Sequence, residues 1–300
     1  MSVDVVVAVP AFMDMTFVGL EGLPGLGEER FAGDLVRSPG GGAITAIGCA
    51  RLGLATALAA PLGHDAAGDL IGPMLEEEGV QLVGPRSPHT PVTAVMPIGD
   101  ERAMVTYDPG VRARAGDVAG LAPRAVITGL SQLDVVPPNT RAYVTVGDDD
   151  ARAFAGRLPA AASRATGLFI EQREALVLTG AGSPQEAAEM IGARVKIVVV
   201  SLGADGAAAS IDGQGVAVDG FDTGPSIDST GAGDLFVAAW AWGDAAGLSV
   251  DDALRWAALY AALSVRVPTG AGGATRLAEF LEEGSRRGLP APPRRGERVA

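Results

Sequence analysis

The feature that most constrains this chain is a rhythm in which short apolar runs alternate with longer helical patterns over most of its length. Val3 to Val9, Ala55 to Pro61, Ala125 to Thr128, Tyr143 to Val146, Lys196 to Leu202 and Ala207 to Ile211 read as strands. Helical patterns lie between them at Ala43 to Leu52, Gly68 to Glu78, Asp148 to Ala155, Pro184 to Gly192, Gly233 to Gly243 and Asp251 to Val267. Strands that alternate with helices point to an α/β fold, a mostly parallel central sheet with a helical layer on each face. The stretch from Ile197 to Val200 is continuously apolar, as a strand covered on both sides should be.

Two segments break the rhythm. Residues 11–37 and 91–112 mix strand-like pieces with turn residues, and the second carries a hairpin pattern about Gly99-Asp100-Glu101. Both are read as parts of a small β appendage, which leaves 1–10, 38–90 and 113–287 as the α/β core. From Gly288 the sequence turns rich in Pro and Arg, and 288–300 reads as a flexible tail.

Charge and motif content narrow the chemistry. With 23 basic against 36 acidic residues the net charge is −13, so no basic field exists to attract a nucleic acid or an anionic membrane, and neither is expected as a partner. Cys49 stands alone, which precludes an internal disulfide or a thiolate cluster. The amino terminus lacks a basic residue ahead of its apolar run, and no apolar stretch reaches the roughly 18 residues of a membrane span. A cytoplasmic location is expected. Lys196 is the only lysine and precedes Ile197, so no G-x-x-x-x-G-K-[ST] loop exists; G-x-G-x-x-G and the protein-kinase motif set are absent too. His64 and His89, the only histidines, read as loop residues, and Trp240, Trp242 and Trp256 as core.

The most informative stretch is Asp228-Ser229-Thr230-Gly231-Ala232-Gly233-Asp234, which runs into a wholly apolar helical pattern. Small side chains leave the N–H groups of Gly231, Ala232 and Gly233 uncovered at a helix amino terminus, where they can hold an anion such as a phosphate. Asp234, in the first turn, is placed to take a proton from a hydroxyl attacking phosphorus. An ordinary Gly-rich turn capped by an Asp has the same pattern.

This stretch resembles the carboxy-terminal signature of the ribokinase-like, or PfkB, carbohydrate kinases, and the resemblance extends over roughly residues 3 to 280. Ser38 to Gly53 is similar to the family's Gly-Gly sugar-binding motif and its helix, and Leu62 to Val80 to its next block. Glu171 to Gly180 resembles the metal-associated N-x-x-E segment, and Val198 to Ala207 the nucleotide-contacting strand and turn. The resemblance implies ATP-dependent transfer of the γ-phosphoryl group to a hydroxyl, usually CH₂OH, of a sugar or sugar-like molecule, with Mg²⁺. By position Asp234 is the general base and Gly231, Ala232 and Gly233 the anion hole. Asp14, Gly40, Gly41 and Gly42 would bind the sugar, and Ser201, Gly203, Gly206 and Thr230 would line the nucleotide cleft. Glu174 would orient Mg²⁺ through water, and Asp228 and Thr230 match the start of the loop that binds K⁺ in some members. The β lid would close over the sugar and can pair with the lid of a second subunit in a homodimer.

The match has gaps. Ile44 falls where the family commonly has a sugar-contacting Asn, with Thr45 or a shift of the loop as candidates to replace the lost amide. Glu171 replaces the usual Asn of the metal segment, and Thr145 to Pro159 lacks the central D-x-N-x-R pattern. Asp148, Asp149 and Asp150 read as acids at a helix start and not as a metal cluster. Arg102 reads as a solvated turn residue within reach of an anionic substrate. A non-catalytic sugar- or nucleotide-binding protein on the same scaffold, a nucleoside kinase, and a Rossmann-type oxidoreductase stand as alternatives.

Overall fold

The computed structural model describes residues 3–98 and 101–293. Thirteen strands are β1 (Val5–Ala8), β2 (Ala11–Val18), β3 (Asp34–Gly41), β4 (Thr56–Leu58), β5 (Gln81–Leu82), β6 (Val92–Ile98), β7 (Glu101–Tyr107), β8 (Ala125–Gly129), β9 (Arg141–Val146), β10 (Gly167–Glu171), β11 (Ile197–Ser201), β12 (Ala207–Ile211) and β13 (Gln214–Val218). Ten helices are α1 (Gly42–Arg51), α2 (Ala66–Glu77), α3 (Ala115–Ala119), α4 (Asp148–Ala153), α5 (Gln172–Thr179), α6 (Pro184–Gly192), α7 (Ala232–Ala246), α8 (Val250–Ser264), α9 (Gly270–Gly273) and α10 (Leu277–Arg286).

Nine strands form the main sheet in the order β13-β12-β11-β10-β9-β8-β1-β4-β5. From β11 to β5 every pairing is parallel, and β12 and β13 add an antiparallel edge. Both faces are covered, and β1 shows why its valines do not alternate with polar residues. Val5 and Val7 enter one apolar cluster with α1, α7, α8 and Phe280 of α10; Val6 and Ala8 enter the other, with α4, α5 and α6. Trp240, Trp242 and Trp256 are buried in the first cluster, whereas His64 and His89 lie exposed outside helices and strands.

The expected elements form, with instructive shifts. α7 continues past Gly243, because that glycine is a contact and not a stop: a Cβ there would lie 3.1 Å from Ala253 Cβ. The helix ends instead at Gly247, whose φ of 80° is the usual left-handed cap. α2 begins at Ala66, earlier than expected, because Asp65 accepts a bond from Gly68 N at 2.9 Å and caps it. β5, β10, β13, α5 and α10 were not legible as separate elements; β5 has two residues, and β13 is an exposed edge strand.

The second sheet is small, in the order β3-β2-β6-β7. Its edge strand β3 runs on through Ser38 to Gly41, four residues that the sequence pattern places in the core. Pro39 is tolerated there because an edge strand can spare one N–H. Gly99 and Asp100 of the expected hairpin turn lie outside the described residues, and β6 and β7 pair antiparallel on either side of it. The expected tail is docked at its start. Leu289 is buried in the first cluster, and Pro290 O accepts a bond from Trp256 Nε1 at 3.0 Å; residues 294–300 lie outside the described residues.

Candidate active site

The candidate residues fall into two groups. The first is built where β2, β3, α1 and the amino terminus of α7 meet. Gly231 is the residue preceding α7 and adopts φ 76°, a left-handed conformation that turns the chain into the helix and favours glycine. A Cβ there would also come within 2.9 Å of Ile44 Cδ1 and 3.0 Å of Gly270 Cα. Ala232 and Gly233 begin the helix, and the space beside Gly233 is open, since a Cβ would meet nothing within 4 Å. The turn is thus packed at Gly231 and open at Gly233.

Asp234 lies half-buried in the first turn of α7. Thr45 Oγ1, from α1, donates to its Oδ1 at 2.9 Å. Burial raises the Asp234 carboxyl to about 6, against the lowering effects of that bond and of Arg102. Facing it from β2, Asp14 is 6% exposed. Burial, then the charges of Asp234 and Asp228, push Asp14 up to about 7. Gly40 lets β3 lie against this carboxylate, because a Cβ at residue 40 would overlap it. Gly41 and Gly42 carry the chain from β3 into α1.

Asp228 is buried, and its two oxygens accept the N–H groups of Thr230 and Thr269, each at 2.9 Å. Thr230 Oγ1 is buried without a partner. Ile44 is 1% exposed and packs beneath Gly231 and Gly270. It props the loop, so its side chain does not take the place of the sugar-contacting amide that the resemblance suggests.

The second group lies at the carboxyl ends of β10 and β11. Ser201 ends β11 in register with Glu171 at the end of β10; Gly203 and Gly206 flank the short turn into β12. Glu171 and Glu174 form a capping box at the start of α5, Glu174 accepting from Glu171 N at 3.4 Å and Glu171 from Arg173 N at 2.8 Å. Burial, helped by the charges of Glu171 and Asp148, raises Glu174 to about 7. Among the described residues no hydrogen bond joins this group to the first, but both lie along the carboxyl edge of the parallel sheet, where ligands of such folds bind. Asp148 pairs with Arg152, and Asp150 accepts from Ser131 N at 3.2 Å. No cluster of three or more metal-ligating side chains occurs among the described residues.

Sequence reasoning missed the loop at Thr269. Its Thr-Gly-Ala-Gly repeats that of Thr230 to Gly233, a signal in plain view. Thr269 has φ 68°, costly for a β-branched residue, and is held there by its bond to Asp228. Also missed was a polar row on the lid: Ser38, Asp14, Thr93 and Thr106 are in register across four strands, so their side chains share one face.

The profile of the pfkB family carbohydrate kinases matches residues 12–275. The chain belongs to this family. Solved structures with the same fold include the ribokinase of Arabidopsis thaliana complexed with ribose and ATP, 24% identical, covering 94% of this chain and 98% of its own, with a TM-score of 0.76. The ribokinase of Thermotoga maritima is 18% identical over 95% of this chain and 99% of its own, at 0.78. The adenosine kinase of Sinorhizobium meliloti is 19% identical over 91% and 98%, at 0.71. No curated protein matches the chain. This pfkB-family chain is therefore a carbohydrate kinase by family, with the ribokinase-like core and lid; no helix among the described residues is long and apolar enough to cross a membrane.

Proposed function

We propose that the protein transfers the γ-phosphoryl group of ATP to a hydroxyl of a sugar or sugar-like acceptor. The observation that carries the reading is Asp234, anchored by Thr45 directly after the Gly231–Gly233 turn, which is open at Gly233, and faced by Asp14. Asp234 accepts the acceptor's hydroxyl proton as the new O–P bond forms, and the N–H groups of Gly231, Ala232 and Gly233 take up charge on the moving phosphoryl oxygens. Asp14 and the row of hydroxyls beside it suit an acceptor bearing several OH groups. The ribose and ATP held by the Arabidopsis ribokinase support this pairing of acceptor and donor.

Ser201, Gly203 and Gly206 would border the donor nucleotide. Glu174 suits Mg²⁺, since a buried carboxyl among other acids is an oxygen ligand that a hard cation would ionise; bound there, the ion would neutralise charge on the donor phosphates. Asp228 and the unpartnered Thr230 hydroxyl are the oxygens suited to K⁺. Exposed large apolar residues gather on the lid and its β2–β3 connection, among them Leu26, Phe31, Val105 and Tyr107, which supports a homodimer formed through the lid.

The test is ADP release with Mg-ATP across sugars, nucleosides and sugar phosphates. Turnover with a sugar, lowered about 10²–10⁴-fold by Asp234→Asn, is the expected result. Binding of ATP or a sugar without turnover of any acceptor would reject catalysis in favour of a binding protein.

A further inference from the structure

Arg102 occupies an unusual place in the lid. It lies on β7 opposite Pro97, on the face of the sheet that carries Asp14, Thr93 and Thr106. The pairs Thr93–Thr106, Val95–Met104 and Pro97–Arg102 run in that order, so Arg102 stands two rows away from Asp14. Its side chain crosses the cleft instead, and Nη1 donates to Ser229 Oγ at 2.6 Å. Among the described residues this is the one hydrogen bond between the β6–β7 hairpin and the 228–234 loop.

The neighbourhood of that contact is the phosphoryl site proposed above. Ser229 precedes Thr230, whose buried hydroxyl has no partner, and the Gly231–Gly233 turn, which is open at Gly233. The guanidinium is close enough to Asp234 for its charge to offset a part of the rise that burial imposes on the carboxyl. A serine hydroxyl engages one of the five donors of the fork, and a neutral partner is weaker than an anionic one. An arriving phosphoryl oxygen would therefore displace or share it at little cost.

Resting on the kinase reading, we infer that Arg102 is a catalytic residue delivered by the lid, its guanidinium touching the phosphoryl group in transfer while the Gly231–Gly233 amides hold that group from the core. In the step, the acceptor oxygen forms its bond to the γ-phosphorus as the bond to the β–γ bridging oxygen breaks. The electron pair of that bond leaves with ADP, and the acceptor proton passes to Asp234. Arg102 exchanges no proton; it offsets the charge spread over the equatorial oxygens, the positioning and charge stabilisation on which such a loose transfer depends. Because the charge comes from the lid, the site is complete only when the lid is down, and an open site holding ATP is less competent to hydrolyse it.

The experiment is calorimetric titration of Mg-ADP with and without tetrafluoroaluminate, a mimic of the phosphoryl group in transfer, on wild type, Arg102→Gln, Arg102→Lys and Ser229→Ala. Wild type is expected to bind Mg-ADP more tightly with the mimic. Arg102→Gln is expected to lose about tenfold or more of that gain while its affinity for Mg-ADP alone is kept, and Arg102→Lys to recover part of it. Under turnover, Arg102→Gln should lower kcat by about 10²-fold with little change in acceptor KM. The gain surviving in Arg102→Gln overturns the inference alone, leaving the kinase reading intact. An equal loss in Ser229→Ala reduces the contact to a latch and overturns it too, as does an effect confined to the KM of anionic acceptors. Failure of the wild type to bind Mg-ADP overturns both readings together.

Discussion

The sugar-binding role proposed for Asp14 calls for its ionised, hydrogen-bond-accepting form, yet its carboxyl is pushed up to about 7 by burial and by the charges of Asp234 and Asp228. An acid whose folded-state value lies above its unfolded one keeps its proton in the native state while the unfolded chain has lost it. Stability from this group is accordingly greatest below about pH 4, falls as pH rises towards about 7, and is level above that. Asp14→Asn removes the penalty. At pH 8 the variant should resist urea better than wild type by up to about 4 kcal/mol, and at pH 4 the two should nearly coincide. Denaturation midpoints at both pH values check this; equal differences at the two would reject a titrating Asp14. Acceptor affinity of the wild type should move the other way, tightening as pH rises through 7.

Between elements, the spacing of α1 and α7 sets the Thr45–Asp234 bond. Gly48 permits that spacing, for a Cβ would lie 2.6 Å from Leu235 Cδ2 and 2.9 Å from Ala238 Cβ. Alanine in place of glycine normally strengthens a helix by about 1 kcal/mol. Overpacking a close crossing costs about 1–3 kcal/mol, and Leu235 can yield where the Ala238 Cβ cannot, so the cost wins. Gly48→Ala should lower Tm and, by moving Thr45 away from Asp234, lower kcat more than acceptor KM. A raised Tm with unchanged kcat would show that the helices have room to separate. The same closeness explains why the sequence marked α1 and α7 as helices while revealing nothing of their contact: a glycine within a helix reads as a weakness until the neighbour it admits is known.

At the scale of the whole molecule, the proposed function gives the lid two jobs, to cover the cleft with the face that carries Asp14 and Arg102 and to offer its other face to a second copy. Val105 and Tyr107 lie on that other face, 67% and 56% exposed. Val105→Glu with Tyr107→Glu should shift the protein from dimer to monomer in sedimentation and raise acceptor KM; an unchanged mass would place the dimer elsewhere or reject it. The sequence by itself determined the layers of the core, because the continuous apolar run of β11 and the valines of β1 have nowhere to go except between two helical faces. It also singled out Asp234 and Gly231–Gly233 as candidates, because they are contiguous and their spacing suggests a chemistry. Only the tertiary structure decided that Ile44 props the loop at Gly231, that Thr269 anchors Asp228, and that Arg102 reaches Ser229 across 127 residues of chain. The reason is physical: a local pattern fixes which face of an element is apolar, whereas a side chain's partner depends on how whole elements pack, and that is settled by the summed burial of the core.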